Sequence, residues 1–157
     1  MKIKLLFTGK TDQSYLTEGI EIYAKRIKSY VSFEIITVNM QKKWNVLPSE
    51  QRKEKEAELV MEHMAKSDFA VLLDERGKKF TSASFANFIQ ERMNRSTKNL
   101  LFIVGGPFGF SQDVYNSAQM KLSLSSMTFS HQMVRLFFAE QLYRAFTIIR
   151  NEGYHNE

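Results

Sequence analysis

Leu100–Val104 is an unbroken apolar run, Leu-Leu-Phe-Ile-Val, and it ends abruptly in Gly105-Gly106-Pro107-Phe108-Gly109. The run reads as a buried strand, and the loop is where its carboxyl end meets solvent. In open α/β sheets that edge is where ligands bind. The three glycines leave backbone N–H and C=O groups uncovered, so a small molecule approaches closely.

Similar runs recur along the chain, separated by helical patterns. Ile3–Thr8 reads as a first strand and Phe33–Val38 as a second. Phe69–Asp74 is short and continuously apolar, as a strand covered on both faces should be. Lys121–Leu124 is a weaker fifth strand. Between them, Ser14–Tyr30 repeats Leu16, Ile20, Tyr23, Ala24 and Ile27 on one helical face. Ser49 is placed to cap a helix from Glu50 to Lys66, with Ala57, Val60, Met61 and Met64 as its apolar stripe. Glu75–Phe80 reads as a loop around Gly77, and Thr81 or Ser82 starts a helix carrying Phe85, Phe88, Ile89 and Met93. Ser111 caps a short helix with Asp113 in its first turn, and Ser130 begins a long helix ending near Arg150. Asn151–Glu157 reads as a polar tail. The alternation predicts one α/β domain over 1–157, with a mostly parallel sheet and flanking helices. The last helix is apolar on more than one face, from Met133 to Ile149. A subunit interface is a natural way to cover that excess.

The chain has 157 residues, enough for one domain with a real core. No apolar run approaches the roughly 18 residues of a membrane span. The N-terminus is too short and too strand-like for a signal peptide, so a cytoplasmic location is expected. Cysteine is absent, which excludes disulfides and thiolate metal sites. The formal net charge of +5 suits a polyanionic partner, nucleic acid being the commonest, although no Lys/Arg block forms a basic arm.

The first strand ends in Thr8-Gly9-Lys10-Thr11-Asp12, which matches neither the dinucleotide nor the Walker fingerprint and reads as a turn. His63, His131 and His155 show no metal spacing. His131 falls beside the predicted ligand loops. Three loops should gather at the carboxyl ends of adjacent strands: Leu73–Lys79, Gly105–Phe110 and Leu124–Phe129. The last, Leu-Ser-Ser-Met-Thr-Phe, mixes small hydroxyls with apolar residues. That suits an adenine edge held by backbone groups against an apolar wall, and suits a polyphosphate poorly.

Four segments occur in order: Leu72-Leu73-Asp74-Glu75-Arg76-Gly77-Lys78, Ile103–Gly109, Leu122–His131, and Leu142-Tyr143-Arg144-Ala145-Phe146; the chain then closes with Gly153-Tyr154-His155. In these segments the chain resembles the RlmH family of SPOUT methyltransferases, which methylate N3 of a pseudouridine in large-subunit ribosomal RNA. The resemblance runs over essentially the whole chain. It implies a SPOUT-type α/β fold whose C-terminal part threads a trefoil knot. It also implies a homodimer with the active site at the interface, and large-subunit (23S) rRNA on the assembled ribosome as substrate. S-adenosylmethionine would be contacted by Leu73, Gly105, Leu124, Ser125, Ser126, Met127, Thr128 and Phe129. The Tyr154–His155 tail would complete the site. Related sequences often carry an acidic residue after Gly-Gly-Pro, where this chain has Phe108, so no catalytic carboxylate is available there. The tail ends Asn156-Glu157, less basic than RNA contact would favour.

Transfer to N3 requires its proton to be removed or the developing anion stabilised. The resemblance points to His155 as base or proton relay, Arg144 as electrostatic stabiliser and Tyr154 as an orienting group. Arg144 has a structural alternative, a pair with Glu140 one turn earlier. No membrane, DNA or metal partner is expected. A non-catalytic RNA-binding module, or another nucleotide-binding α/β enzyme, would share the basic charge or the glycine-rich loop.

Overall fold

The computed structural model describes residues 1–155, so Asn156 and Glu157 lie outside the described residues. Five strands build one sheet: β1 (Lys2–Thr8), β2 (Ser32–Val38), β3 (Phe69–Lys79), β4 (Asn99–Val104) and β5 (Met120–Ser123). The order is β2-β1-β4-β3-β5 and every pairing is parallel. The connections carry α1 (Ser14–Ile27), α2 (Ser49–Met64), α3 (Ser82–Asn94) and α4 (Gln112–Ser117), and α5 (Met133–Ile149) closes the chain.

The central strand explains the layering. Each residue of Leu100–Val104 is at most 2% exposed. Side chains alternate across a strand. Leu100, Phe102 and Val104 therefore share one face with Phe85 and Ile89 of α3 and Phe138 and Leu142 of α5. Leu101 and Ile103 take the other face, against Val60 and Met64 of α2 and Val114 of α4. Helices α1, α3 and α5 thus cover one side, and α2 and α4 cover the other.

Three local expectations need correction. Residues 75–79, expected as loop, belong to β3: after an irregularity between Leu73 and Lys78, Lys78 and Lys79 pair with Leu122 and Ser123 of β5. The segment is polar, so no periodicity announced it; its backbone is ordered by a ladder partner far away in sequence. Ser49 does not cap α2 but is its first residue, following Pro48, and makes no cap bond. The fixed φ of proline pre-sets a helix start, so the turn forms without a side-chain acceptor. The first helix ends at Ile27 rather than Tyr30, with residues 28–30 in a turn. Elsewhere the capping residues act as their types suggest. Thr81 and Ser84 form a reciprocal capping box at α3, and Ser111 accepts from the Val114 N–H at α4. Ser130 Oγ accepts from the Met133 N–H at 3.1 Å where α5 begins.

Gly77 is required by proximity. A Cβ there would stand 2.5–2.6 Å from the backbone of Lys121 and Leu122, where nothing flexible can yield. Gly77→Ala should therefore destabilise the fold by about 1–3 kcal/mol, the usual range for overpacking. Urea unfolding checks this, and an unchanged midpoint would show that β5 is not held this closely.

Candidate functional site

A cavity of about 630 Å³ opens at the carboxyl ends of β4, β3 and β5. All three expected loops wall it. Leu73, Gly105, Leu124, Ser125, Met127, Thr128 and Phe129 line it. Ser126 does not: its hydroxyl accepts a hydrogen bond from Lys79 Nζ at 2.7 Å. His131 and Val134, at the start of α5, complete the wall.

The hydroxyls of the last loop mostly fold the loop itself. Ser123 Oγ donates to the Ser125 carbonyl at 2.8 Å, and the Met127 N–H donates to Ser125 Oγ at 2.9 Å. Thr128 Oγ1 donates to Glu75 Oε2 at 3.2 Å. The side chains being so engaged, backbone groups and apolar surface are what the loop offers a ligand. Opposite, Gly109 adopts φ +71° and its N–H donates to the Gly106 carbonyl at 3.2 Å, closing a turn that glycine favours. Gly105 lies against Phe110, so a Cβ there would come within 3.0 Å of the ring.

The wall carries two carboxylates, Asp74 and Glu75, and two cations, Lys53 and Arg76. Asp74 and Glu75 line it, and Asp74 accepts from the Tyr115 hydroxyl. Burial, then that bond, pushes the Tyr115 phenol up to about 12, so it stays a neutral donor. Burial, then the nearby Arg135, holds His131 below the usual histidine range, so it is neutral at physiological pH. Lys53 also lines the cavity, but its ammonium lies 3.2 Å from Glu50. Opposite charges beside backbone groups and apolar surface fit a zwitterionic ligand with an adenine edge, such as S-adenosylmethionine, and are a poor cradle for polyphosphate. Asp74, Glu75, Tyr115 and Lys53 escaped the sequence reading. The two acids fell in a loop already marked for the site, whereas nothing in the pattern of α4 singled out Tyr115.

Arg144, Tyr154 and His155 form a second cluster, at the far end of α5. Arg144 Nη2 and Nε donate to Glu140 Oε1 at 2.6 and 3.0 Å, so the expected ion pair is real. The bond to Glu140 raises the Arg144 pKa further, keeping the guanidinium charged. The Tyr154 hydroxyl donates to the same oxygen at 3.1 Å, and the guanidinium lies over the Tyr154 ring at 4.8 Å. Arg144 Nη1 reaches His155 Nδ1 at 3.3 Å. The sequence paired Glu140 with Arg144 but did not show that Tyr154 shares the same carboxylate oxygen. None of the three expected catalytic residues lines the cavity of its own chain. Ten residues of helix, roughly 15 Å of rise, separate Val134 at the cavity from Arg144.

Architecture and site together are those of an α/β protein that holds a ligand at the carboxyl edge of a parallel sheet. The fold is similar to that of the tRNA (m1G37) methyltransferase from Aquifex aeolicus, with a TM-score of 0.59 at 15% identity, covering 92% of this chain and 70% of that one. It is also similar to a probable methyltransferase from Bordetella pertussis Tohama I, at a TM-score of 0.55 and 10% identity, over 92% and 95% of the two chains. The family model described as "Predicted SPOUT methyltransferase" matches residues 1–155, and the chain belongs to that family. Two relatives are both named "Ribosomal RNA large subunit methyltransferase H". The one from Christiangramia forsetii is 54% identical, over 99% of each chain. The one from Parabacteroides distasonis is 49% identical, over 100% of each. Among the described residues, no helix is long and apolar enough to cross a membrane.

Gly105→Val would drive a branched side chain into Phe110 and the cavity wall. Binding of S-adenosylmethionine should weaken at least tenfold in calorimetry, with the fold retained by circular dichroism. Unchanged binding would remove this loop from the site.

Proposed function

We propose that this protein transfers a methyl group from S-adenosylmethionine to N3 of a pseudouridine in large-subunit ribosomal RNA, presented on the assembled ribosome. The observation that carries the reading is the conjunction of full-length relatives of that name with a cavity whose walls suit the cofactor. The cytoplasm is where such a substrate is met.

Bound in the cavity, S-adenosylmethionine supplies an electrophilic methyl group. Leu73, Gly105, Leu124, Ser125, Met127, Thr128 and Phe129 would hold it through backbone groups and apolar contact, and Asp74 and Glu75 would balance its positive charge. What remains for the protein is to align N3 and to stabilise the charge that develops as its proton leaves. Arg144, kept cationic by Glu140, is suited to that charge. His155, in contact with Arg144 through Nδ1, serves as the base or proton relay that takes up the N3 proton as the bond from N3 to the methyl group forms. Tyr154, fixed by Glu140 and by the Tyr143 ring at 4.8 Å, orients the group.

The active centre is composite, with the tail of one protomer serving the cavity of its partner in a homodimer. Two observations support this. The tail cluster lies outside its own cavity. Tyr15 and Ile22 on α1 and Phe137 on α5 are 60%, 46% and 40% exposed, and Leu136 packs on Gly19 between these helices, making one contiguous apolar face. The trefoil knot belongs to the same proposal. Segment 124–131 runs past the β3 extension, tied to Glu75 and Lys79, before the chain returns as α5.

Ribosomes from cells lacking the enzyme, incubated with methyl-labelled S-adenosylmethionine, should acquire label at one pseudouridine of the large-subunit rRNA. A chain ending at Gly153 should bind the cofactor and dimerise but transfer no label. Absence of label with the full chain would sink the reading, and normal transfer by the shortened chain would remove the tail from catalysis.

A further inference from the structure

The buried polar groups behind the cavity are not used by this mechanism. Glu56, on the inner face of α2, is largely buried, yet its carboxylate meets no lysine. The Gly106 N–H, the Thr8 hydroxyl and the guanidinia of Arg52 and Arg135 all favour its charged form. The approach is close: a Cβ on Gly106 would stand 3.1 Å from Glu56 Oε2 and 3.3 Å from Thr8 Oγ1. Thr8 is the last residue of β1, and Gly106 is the second residue after β4. One carboxylate therefore joins α2, the end of β1 and the glycine loop.

We propose that Glu56 is the positioning residue of the cofactor loop, holding the Gly106 amide from behind so that Gly105–Gly109 keeps the shape that admits S-adenosylmethionine. This rests on the cofactor reading above. Besides the Arg52 guanidinium, 5.4 Å from the centre of the Phe108 ring, the loop has few other restraints. Gly105 and Gly106 have no side chains, Pro107 has no N–H to give, and the turn closes on one 3.2 Å bond from Gly109. A free glycine loop is entropically costly to order. A largely buried carboxylate packed against the Gly106 backbone lowers that cost before the cofactor arrives.

The chemistry has a pH signature. Burial raises the Glu56 pKa above the ordinary carboxylate value, against the opposing effect of its hydrogen bonds and the two arginines. Protonation on acidification then costs the loop an acceptor. Asp74, Glu75 and His131 also line the cavity and titrate or carry charge. They are common to wild type and variants, so the ratio of affinities isolates Glu56.

The test is calorimetry with S-adenosylhomocysteine on the full chain from pH 5 to pH 8. Glu56→Ala should bind roughly tenfold more weakly at pH 8, in line with loss of a charged hydrogen-bond acceptor. Glu56→Gln, which keeps the shape and one acceptor oxygen, should recover part of the affinity and fold even where Glu56→Ala does not. Wild-type binding should weaken as pH falls, and the wild-type advantage over Glu56→Gln should shrink with it. Gly106→Ala, pressing on the same carboxylate, should also weaken binding but add little on top of Glu56→Ala. In turnover, KM for S-adenosylmethionine should rise while KM for ribosomes stays unchanged. A folded Glu56→Gln with wild-type affinity at every pH would overturn the assignment, as would a lower melting temperature with unaltered binding. Failure of the wild-type protein itself to bind would overturn the cofactor reading, and this inference with it.

Discussion

The placement of α5 depends on one buried charge. Arg135 is 0% exposed, and its guanidinium donates to the Thr8 carbonyl at 2.9 Å, the Gly9 carbonyl at 3.1 Å and Thr11 Oγ1 at 2.9 Å. It also lies over the Phe7 ring at 4.8 Å. A buried cation is costly without partners, so the helix is committed to the position where those carbonyls converge. Gln132, three residues earlier, makes the same attachment: it accepts from the Asp12 N–H and donates to the Lys10 carbonyl, both at 3.1 Å. The start of α5 is thereby fastened to the end of β1.

The site follows from that attachment. With β5 paired to β3 and α5 fastened to β1, segment 124–131 must arch across the sheet edge between them. The arch becomes one wall of the cavity, and the glycine loop after β4 becomes the other. His131 and Val134 face the cavity because the helix begins there. The same rigid helix carries Glu140 and Arg144 away from it, so the chain that builds a cavity does not place its own tail cluster in it. The proposed composite centre in a dimer would use both ends of α5.

Much of this was legible in the sequence where the signal was local. The apolar run of Leu100–Val104 identified the central strand, because only a strand covered on both sides tolerates five consecutive apolar residues there. The loops at Leu73, Gly105 and Leu124 were placed at one edge by the parallel alternation alone. Signals that depend on distant partners were not legible. The polar residues 75–79 became strand only because β5 lies beside them. Nothing local singles out Arg135 on its apolar helix, because its carbonyl acceptors lie more than 120 residues away. Ser126 shares the character of its neighbours but spends its hydroxyl on Lys79. Glu140 could be paired with Arg144 by spacing, yet its bond to Tyr154 depends on the tail folding back.

The central claim is that each active centre takes its cavity from one protomer and its tail from the other. The direct measurement is complementation between two inactive chains, one carrying Gly105→Val and the other ending at Gly153, mixed under conditions that exchange protomers. Half of the dimers are then mixed, and each holds one centre with an intact cavity and an intact tail. The account predicts methyl transfer to ribosomes at roughly a quarter of the wild-type rate. A mixture as inactive as either chain alone would contradict it.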